Sequence, residues 1–242
     1  MPVPVILSPH LDDAVFSCWH LLDQPQSRII TIFAGVPPAS TSTLWDRLCG
    51  TSNSEAMMHT RLSENQATLQ GTNATHYELD YLDNQYRKSA PEIAQIAEEV
   101  LNHAPVTAHF FASLAGSRLW QHPDHIIVRQ VGEYLLLHGE KVSFYADLPY
   151  MQMPAHPDNP ENTDMAVRVR HARRAIAAIS SAEVYELTPA QQLAKLKASK
   201  CYRTQYSMTN LVSGFRLGRR ANIQREIVYY VANGTDIAST TK

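Results

Sequence analysis

Cysteine is sparse in this chain: three residues in 242, Cys18, Cys49 and Cys201, odd in number and far apart. No C-x-x-C pair occurs, so neither a disulfide framework nor a thiolate zinc cluster is expected. Cys18 lies among apolar neighbours and is expected to pack as a small hydrophobe. No apolar stretch reaches the roughly 18 residues of a membrane-crossing helix. The first apolar run is short, has no basic leader and runs into two acids, so it reads as a strand rather than a signal peptide. Charge of one sign is also lacking. The formal net charge is -2 and no run of five Lys or Arg occurs, which leaves no strong field for nucleic acid or an anionic membrane. Arg168, Arg170, Arg173 and Arg174 form the densest basic patch and read as a solvated helix face. A G-x-G-x-x-G fingerprint after the first strand is missing too, which weighs against a dinucleotide site. A reducing cytoplasm fits these absences. The expected partner is a small molecule rather than nucleic acid or membrane, and a homo-oligomer is compatible with the chain.

What is present is an ordinary globular balance, 44% apolar and 18% charged residues. Short β-branched runs at 3–7, 28–33, 75–79, 106–114 and 142–146 read as buried strands. Between them, 12–22, 54–70, 91–102 and 125–137 carry helical spacing. Pro91 suits one helix start and Gly71 one helix end. Strands alternating with helices of ten or more residues predict an α/β fold, a Rossmann-like, largely parallel sheet covered by helices on both faces. Residues 35–53 read as a loop. Residues 151–164 hold four prolines and read as another. Partial helix is expected over 165–179, a strand over 182–187, a helix over 189–202 with Leu193, Leu196 and Ala198 on its apolar side, and a late strand over 223–231. The small polar stretch 234–242 is expected to be disordered. One domain is expected over 1–242, with a core to residue 150 and a C-terminal subregion over 151–233.

Two clusters carry chemistry. Ser8-Pro9-His10-Leu11-Asp12-Asp13 follows the first strand, and His122-Pro123-Asp124-His125 follows the fourth. In open parallel sheets ligands bind beyond the carboxyl ends of strands, so both motifs fall at the favoured edge. His10 and Asp13, three apart, can converge if a helix begins there. Asp12 then points about 100° away and is free to face water. His125 opens the following helix and is the better metal ligand of its pair. His122 is placed to stand beside a carbonyl, and Asp124 to orient an imidazole through its second nitrogen. Two imidazoles, a ligand carboxylate and a spare carboxylate suit a hydrolytic zinc site with one position open. Simpler roles exist for each part: Asp12 or Asp13 as a helix cap, His122 and His125 as surface-loop residues. His156-Pro157-Asp158 repeats part of the second motif but follows no strand, and reads as a surface or lid loop. Trp45, Trp120 and Tyr150 offer stacking surfaces as well as packing mass.

Pro9-His10-Leu11-Asp12-Asp13 and His122-Pro123-Asp124-His125, in that order, resemble the motifs of the LmbE-like or PIG-L family of zinc-dependent N-deacetylases. Arg61-Leu62-Ser63-Glu64, the segment from Tyr81 to Arg87 and the segment from Tyr145 to Tyr150 are similar as well. The resemblance spans about residues 3–150, and more weakly the region from Lys200 to Gln205. It implies zinc, or another divalent ion such as Fe2+, held by His10, Asp13 and His125. It implies Asp12 as general base, His122 facing the oxyanion, and Arg61 and Asp83 as substrate contacts. Many members carry Glu where this chain has Ala14, a position given no metal or proton role. The implied activity is removal of an N-acetyl group from an amino sugar or its conjugate. Two other functions suit the same residues or frame: a zinc amidase acting on a non-sugar amide or thiol conjugate, and a non-catalytic sugar- or nucleotide-binding module.

Overall fold

The computed structural model describes residues 2–115, 122–148, 164–213 and 217–232. The proline-rich segment 151–163 with its His156-Pro157-Asp158 repeat, Trp120, Tyr150 and the polar stretch 234–242 lie outside the described residues.

Strand β1 (Val3–Ser8) is buried from its second residue onward, as a continuous apolar run in a two-sided sheet must be. It pairs in parallel with β2 (Arg28–Thr31) on one side and, across Ile6 and Phe111, with β4 (Ala108–Ser113) on the other. Outside β2 lies β3 (Thr75–Glu78); outside β4 lies β5 (Val142–Tyr145), both parallel. The sheet continues with β7 (Arg225–Val231), antiparallel to β5, and closes on β6 (Ile179–Glu186), antiparallel to β7. The order β3-β2-β1-β4-β5-β7-β6 turns back at β1. The chain moves one way through β2 and β3, then returns to build β4 and β5 on the opposite side. Diverging crossovers leave a crevice between the carboxyl ends of β1 and β4, the position open α/β sheets use for ligands.

The helices form two groups. Helix α5 (Ile93–His103) packs on α6 (Pro123–Leu137), and α6 covers β4 and β5. The close approach is made at Gly132, where an added Cβ would stand 2.6 Å from Ala112 Cβ and 2.9 Å from Phe144 Cε1. The other group gathers around α8 (Pro189–Ser199). It comprises α1 (Asp13–Ser17), α2 (Trp19–Leu22), α4 (Ser54–Leu69) and α10 (Arg220–Gln224). The right-handed rule for parallel crossovers assigns these groups to opposite faces of the sheet.

Local departures from the sequence expectations have physical causes. The helix expected over 12–22 breaks into α1 and α2 at Cys18 (φ -133°, ψ 30°), where Glu226 accepts the backbone N–H groups of Trp19 and His20. The loop expected over 35–53 contains α3 (Leu44–Leu48), started by the Thr43 hydroxyl accepting from Asp46 N. Helix α4 ends through Gln70 without a left-handed glycine at Gly71. Leu193 on α8 is 70% exposed, so it does not belong to that helix's apolar side. Arg168, on α7 (Met165–Ala172), is buried rather than part of a solvated basic face. Helix α9 (Arg203–Val212) was not expected at all: its sequence is polar on average, although its few apolar residues gather on one side. Cys18 is buried among apolar residues, as expected.

Candidate active site

The loop after β1 is shaped by two oxygens. Ser8 Oγ donates to His10 O and accepts Ala14 N–H, which folds the chain back into α1. Asp13 Oδ2 accepts the His10 backbone N–H at 2.8 Å and meets His10 Nδ1 at 3.1 Å. On the β4 side, Pro123 starts α6 and His122 caps it, Nδ1 accepting the Asp124 N–H at 3.3 Å. This start aims His125 back across the crevice, where its Nε2 lies 3.3 Å from the same Asp13 Oδ2. One carboxylate oxygen therefore receives two imidazoles from motifs over a hundred residues apart. The nitrogens of His10, His122 and His125 all lie within 4.8 Å of one another.

Each imidazole is oriented from behind. Asp124 Oδ2 meets His10 Nε2 at 3.0 Å and accepts Asn84 N–H, while its other oxygen pairs with Arg87. The expected imidazole-orienting role of Asp124 thus falls on His10. Asp147, just beyond β5, holds His125 Nδ1 at 2.7 Å and accepts Ala115 N–H. Nothing in the spacing of the sequence singled out Asp147; its signals were its place after a strand and within the segment from Tyr145 to Tyr150 that resembles the deacetylase family. Carboxylate–imidazole pairs of this kind commonly fix the tautomer and raise the basicity of metal ligands.

The electrostatics follow from burial and pairing. Burial alone would raise Asp13, but the charges of His125 and His10 beside it hold its carboxyl well below the usual range. Burial opposes protonation of His125, yet Asp13 and Asp147 lift it to about 9. His122 goes the other way, to about 3, through burial and the charges of His10 and His125. Asp12 is raised to about 7, by burial first and by Asp13 next. It makes no side-chain cap to α1, so the capping role does not hold for it. Two adjacent acids are thus driven apart in acidity by their surroundings, a common arrangement where one group must hold charge and the other a proton.

A pocket of about 320 Å³ opens over this cluster, with His10, Asp12, Asp13 and His122 at its base. Asp83, Asn84 and Gln85 line one side, and Gln205, Thr209 and Val212 of α9 contribute another. Asp83 Oδ2 is 3.8 Å from His10 Nε2 and accepts Gln85 Nε2–H, while Asp83 Oδ1 accepts the Gln85 backbone N–H. Arg61 also reaches the pocket, but it is 2% exposed and bound to Asp46 at 2.8 Å, with the Tyr86 hydroxyl bridging the two. Its guanidinium is committed to anchoring α3. Trp45 lines the pocket, in keeping with a stacking surface.

Among the described residues two groups bring donor atoms within 4.8 Å of one another and could hold a cation, His10, His122 and His125, and His10, Asp83, His122 and Asp124, while Asp13 Oδ2 lies 3.1 Å from His10 Nδ1 and 3.3 Å from His125 Nε2.

No family model matches the chain, and no curated protein does. Solved structures do. The zinc-inhibited form of teicoplanin deacetylase superposes with a TM-score of 0.73 at 20% identity, over 96% of this chain and 99% of that one. The deacetylase of the A40926 pseudoaglycone gives 0.71 at 21% identity, over 96% and 97%. This chain has the fold of these deacetylases. The N,N'-diacetylchitobiose deacetylase from Pyrococcus horikoshii, at 13% identity, gives 0.55 over 93% of this chain and 83% of that one. The shared deacetylase fold is the one that the resemblance of the two His motifs implied.

Proposed function

We propose that the protein is a metal-dependent hydrolase that removes an N-acetyl group from an amino sugar or amino-sugar conjugate. The observation that carries this reading is the meeting of His10 Nδ1 and His125 Nε2 on Asp13 Oδ2, beside the unpaired acidity of Asp12. His10, Asp13 and His125 would hold the ion, which we take to be zinc; Fe2+ satisfies the same donors. A divalent ion held there acidifies water toward a pKa of about 7 and polarises an amide carbonyl.

The chain's own groups do the rest. Asp12, with a pKa near 7, takes the proton of the attacking water at a carboxylate oxygen. His122 is neutral at neutral pH because its pKa is low. Its Nδ1 accepts from the Asp124 backbone, so the imidazole proton sits on Nε2, the nitrogen that would donate to the developing oxyanion. Water oxygen bonds to the carbonyl carbon, the C–N bond breaks, and the proton held by Asp12 passes to the nitrogen. The products are acetate and the protonated amine. Asp83 stands where a ring hydroxyl can bond it, and Arg61 supports that wall through Asp46.

The compared solved proteins are named as deacetylases of teicoplanin, of the A40926 pseudoaglycone and of N,N'-diacetylchitobiose, which supports the substrate class. The test is acetate release from a panel of N-acetylamino sugars, their glycosides, and non-sugar acetamides including thiol conjugates, at one equivalent of metal. Release from the sugars is expected. Turnover confined to the non-sugar amides would replace the sugar reading, and no turnover with any substrate would remove the enzyme.

A further inference from the structure

Most polar groups that line the pocket are taken up by their neighbours. Asp83 accepts from Gln85, Gln85 accepts from the Thr43 hydroxyl, and Arg61 donates to Asp46 and Tyr86. Gln205 of α9 differs. Its Oε1 is enclosed and accepts no hydrogen bond, and among the described residues it is the one such oxygen on a side chain lining the pocket. A carbonyl oxygen withdrawn from water and left unpaired destabilises the free protein, and a ligand that donates to it removes that cost.

Two anchors decide which end of the pocket Gln205 serves. Glu64 of α4 accepts the Thr204 backbone N–H at 3.2 Å and the Thr204 hydroxyl at 2.7 Å. The Tyr202 hydroxyl lies 3.1 Å from Leu11 O and 2.9 Å from Asn65 Oδ1. The start of α9 is thereby tied to the carbonyl that precedes Asp12. Gln205 comes three residues after Tyr202, its N–H donating to Tyr202 O at 3.1 Å, so it enters the pocket from the Asp12 side. In the proposed hydrolysis the nitrogen of the scissile amide faces Asp12, which gives it a proton. A secondary amide carries one hydrogen on that nitrogen. An acceptor that holds this N–H fixes rotation about the C–N bond and leaves the nitrogen lone pair of the tetrahedral adduct to Asp12. As the proton arrives the nitrogen becomes positive, and a charged donor makes the stronger hydrogen bond. The contact therefore tightens as the C–N bond breaks, which is the kind of interaction that raises kcat.

We propose that Gln205 is a specificity-determining residue that selects amides over esters by accepting the N–H of the scissile acetamide at Oε1. This rests on the deacetylase reading and deepens it. The test uses zinc-loaded wild type and Gln205→Met, which keeps the length of the side chain but accepts hydrogen bonds only weakly. The substrates are methyl N-acetylglucosaminide and the matching 2-O-acetyl glucoside, an ester with oxygen in place of the N–H, followed as acetate release above the uncatalysed rate. The variant should lose about 10–100-fold in kcat/KM on the amide, part of it in kcat, and less than about threefold on the ester. Free of metal and substrate it should melt no lower than wild type, because an unpaired enclosed oxygen is gone. An equal loss on both substrates would move the contact to a ring hydroxyl and overturn the proposal. So does an unchanged amide rate, or an amide loss that comes with a lower melting temperature, which would make Gln205 a structural residue of α9. Failure of the deacetylase reading shows separately, as no acetate from the amide with wild type. Calorimetry of the metal-free protein with the two glycosides then decides the contact alone. Tighter binding of the amide than of the ester that Gln205→Met loses supports it, and equal binding removes it.

Discussion

At Asp12 and Asp13 neighbouring identical side chains have opposite assignments, and each substitution should separate the two. Asp12→Asn removes the proton acceptor but none of the atoms that converge on the cation position. Turnover should fall by about 10²–10⁴ while metal content, measured by atomic emission, stays at the wild-type level. A variant that kept wild-type rates would remove Asp12 from the mechanism. Asp147→Asn should do the reverse. It leaves the reacting groups in place but deprives His125 Nδ1 of its 2.7 Å carboxylate, so metal affinity should drop by roughly 10–100-fold in a chelator competition. The contrast also explains what the sequence disclosed. His10, Asp12, Asp13, His122 and His125 were legible because each motif packs its groups within four residues at a strand end. Asp147 and Asp46 were not, since their partners lie 22 and 15 residues away and only the folded chain brings them together. Arg61 was legible as a pocket residue, but its burial against Asp46 depends on α3, which the sequence did not announce.

Among the elements, α2, α8 and β7 are joined by one buried carboxylate. Glu226 accepts Trp19 N–H and His20 N–H, meets His20 Nδ1 at 2.6 Å, and pairs with Lys195 Nζ at 2.6 Å. Burial by itself would raise its pKa, but Lys195 and His20 pull it from 4.5 to about 2. A folded pKa below the unfolded one gives stability that is complete above about pH 4.5 and is lost as pH falls toward 2. By linkage the contribution is on the order of 3 kcal/mol. Urea unfolding at pH 6 and pH 3 should show a wild-type loss that Glu226→Gln largely lacks, because the amide does not titrate. An equal pH dependence in both proteins would assign acid sensitivity elsewhere. Lys195→Met leaves the carboxylate buried with one partner fewer and should cost about 3–5 kcal/mol. The elements tied by this carboxylate were partly legible. The helical spacing of α8 and the β-branched run of β7 showed in the sequence, whereas the break at Cys18 did not. A helix stop imposed by a carboxylate 208 residues downstream leaves no local mark. Helix α9 was missed for another reason: its sequence is polar on average and it has no fully buried residue.

In the molecule as a whole, the largely parallel sheet was readable from the alternation of short β-branched runs with amphipathic helices, whereas its strand order, with β7 and β6 added antiparallel, was not. Nor was the consequence of that order for stability. The chain builds β1, β2 and β3 first and then returns across the sheet, so the loops after β1 and β4 belong to halves that diverge from the crevice. His10 and Asp13 come from one half and His125 from the other, and between them stand a carboxylate and imidazoles rather than apolar packing. A cation bound by all three ties the halves together and binds the folded state alone. Mass action then requires the unfolding midpoint to rise with metal concentration, by about 4 kcal/mol of stability at a thousandfold excess over the dissociation constant. Calorimetric scans of the chelated protein, with and without added zinc, should show this increment for wild type and for Asp12→Asn. His125→Ala, which removes the one proposed ligand from the second half, should show little or none. If His125→Ala gained as much stability from zinc as wild type, the ion would be held within one half, and the convergence on Asp13 would not be the metal site.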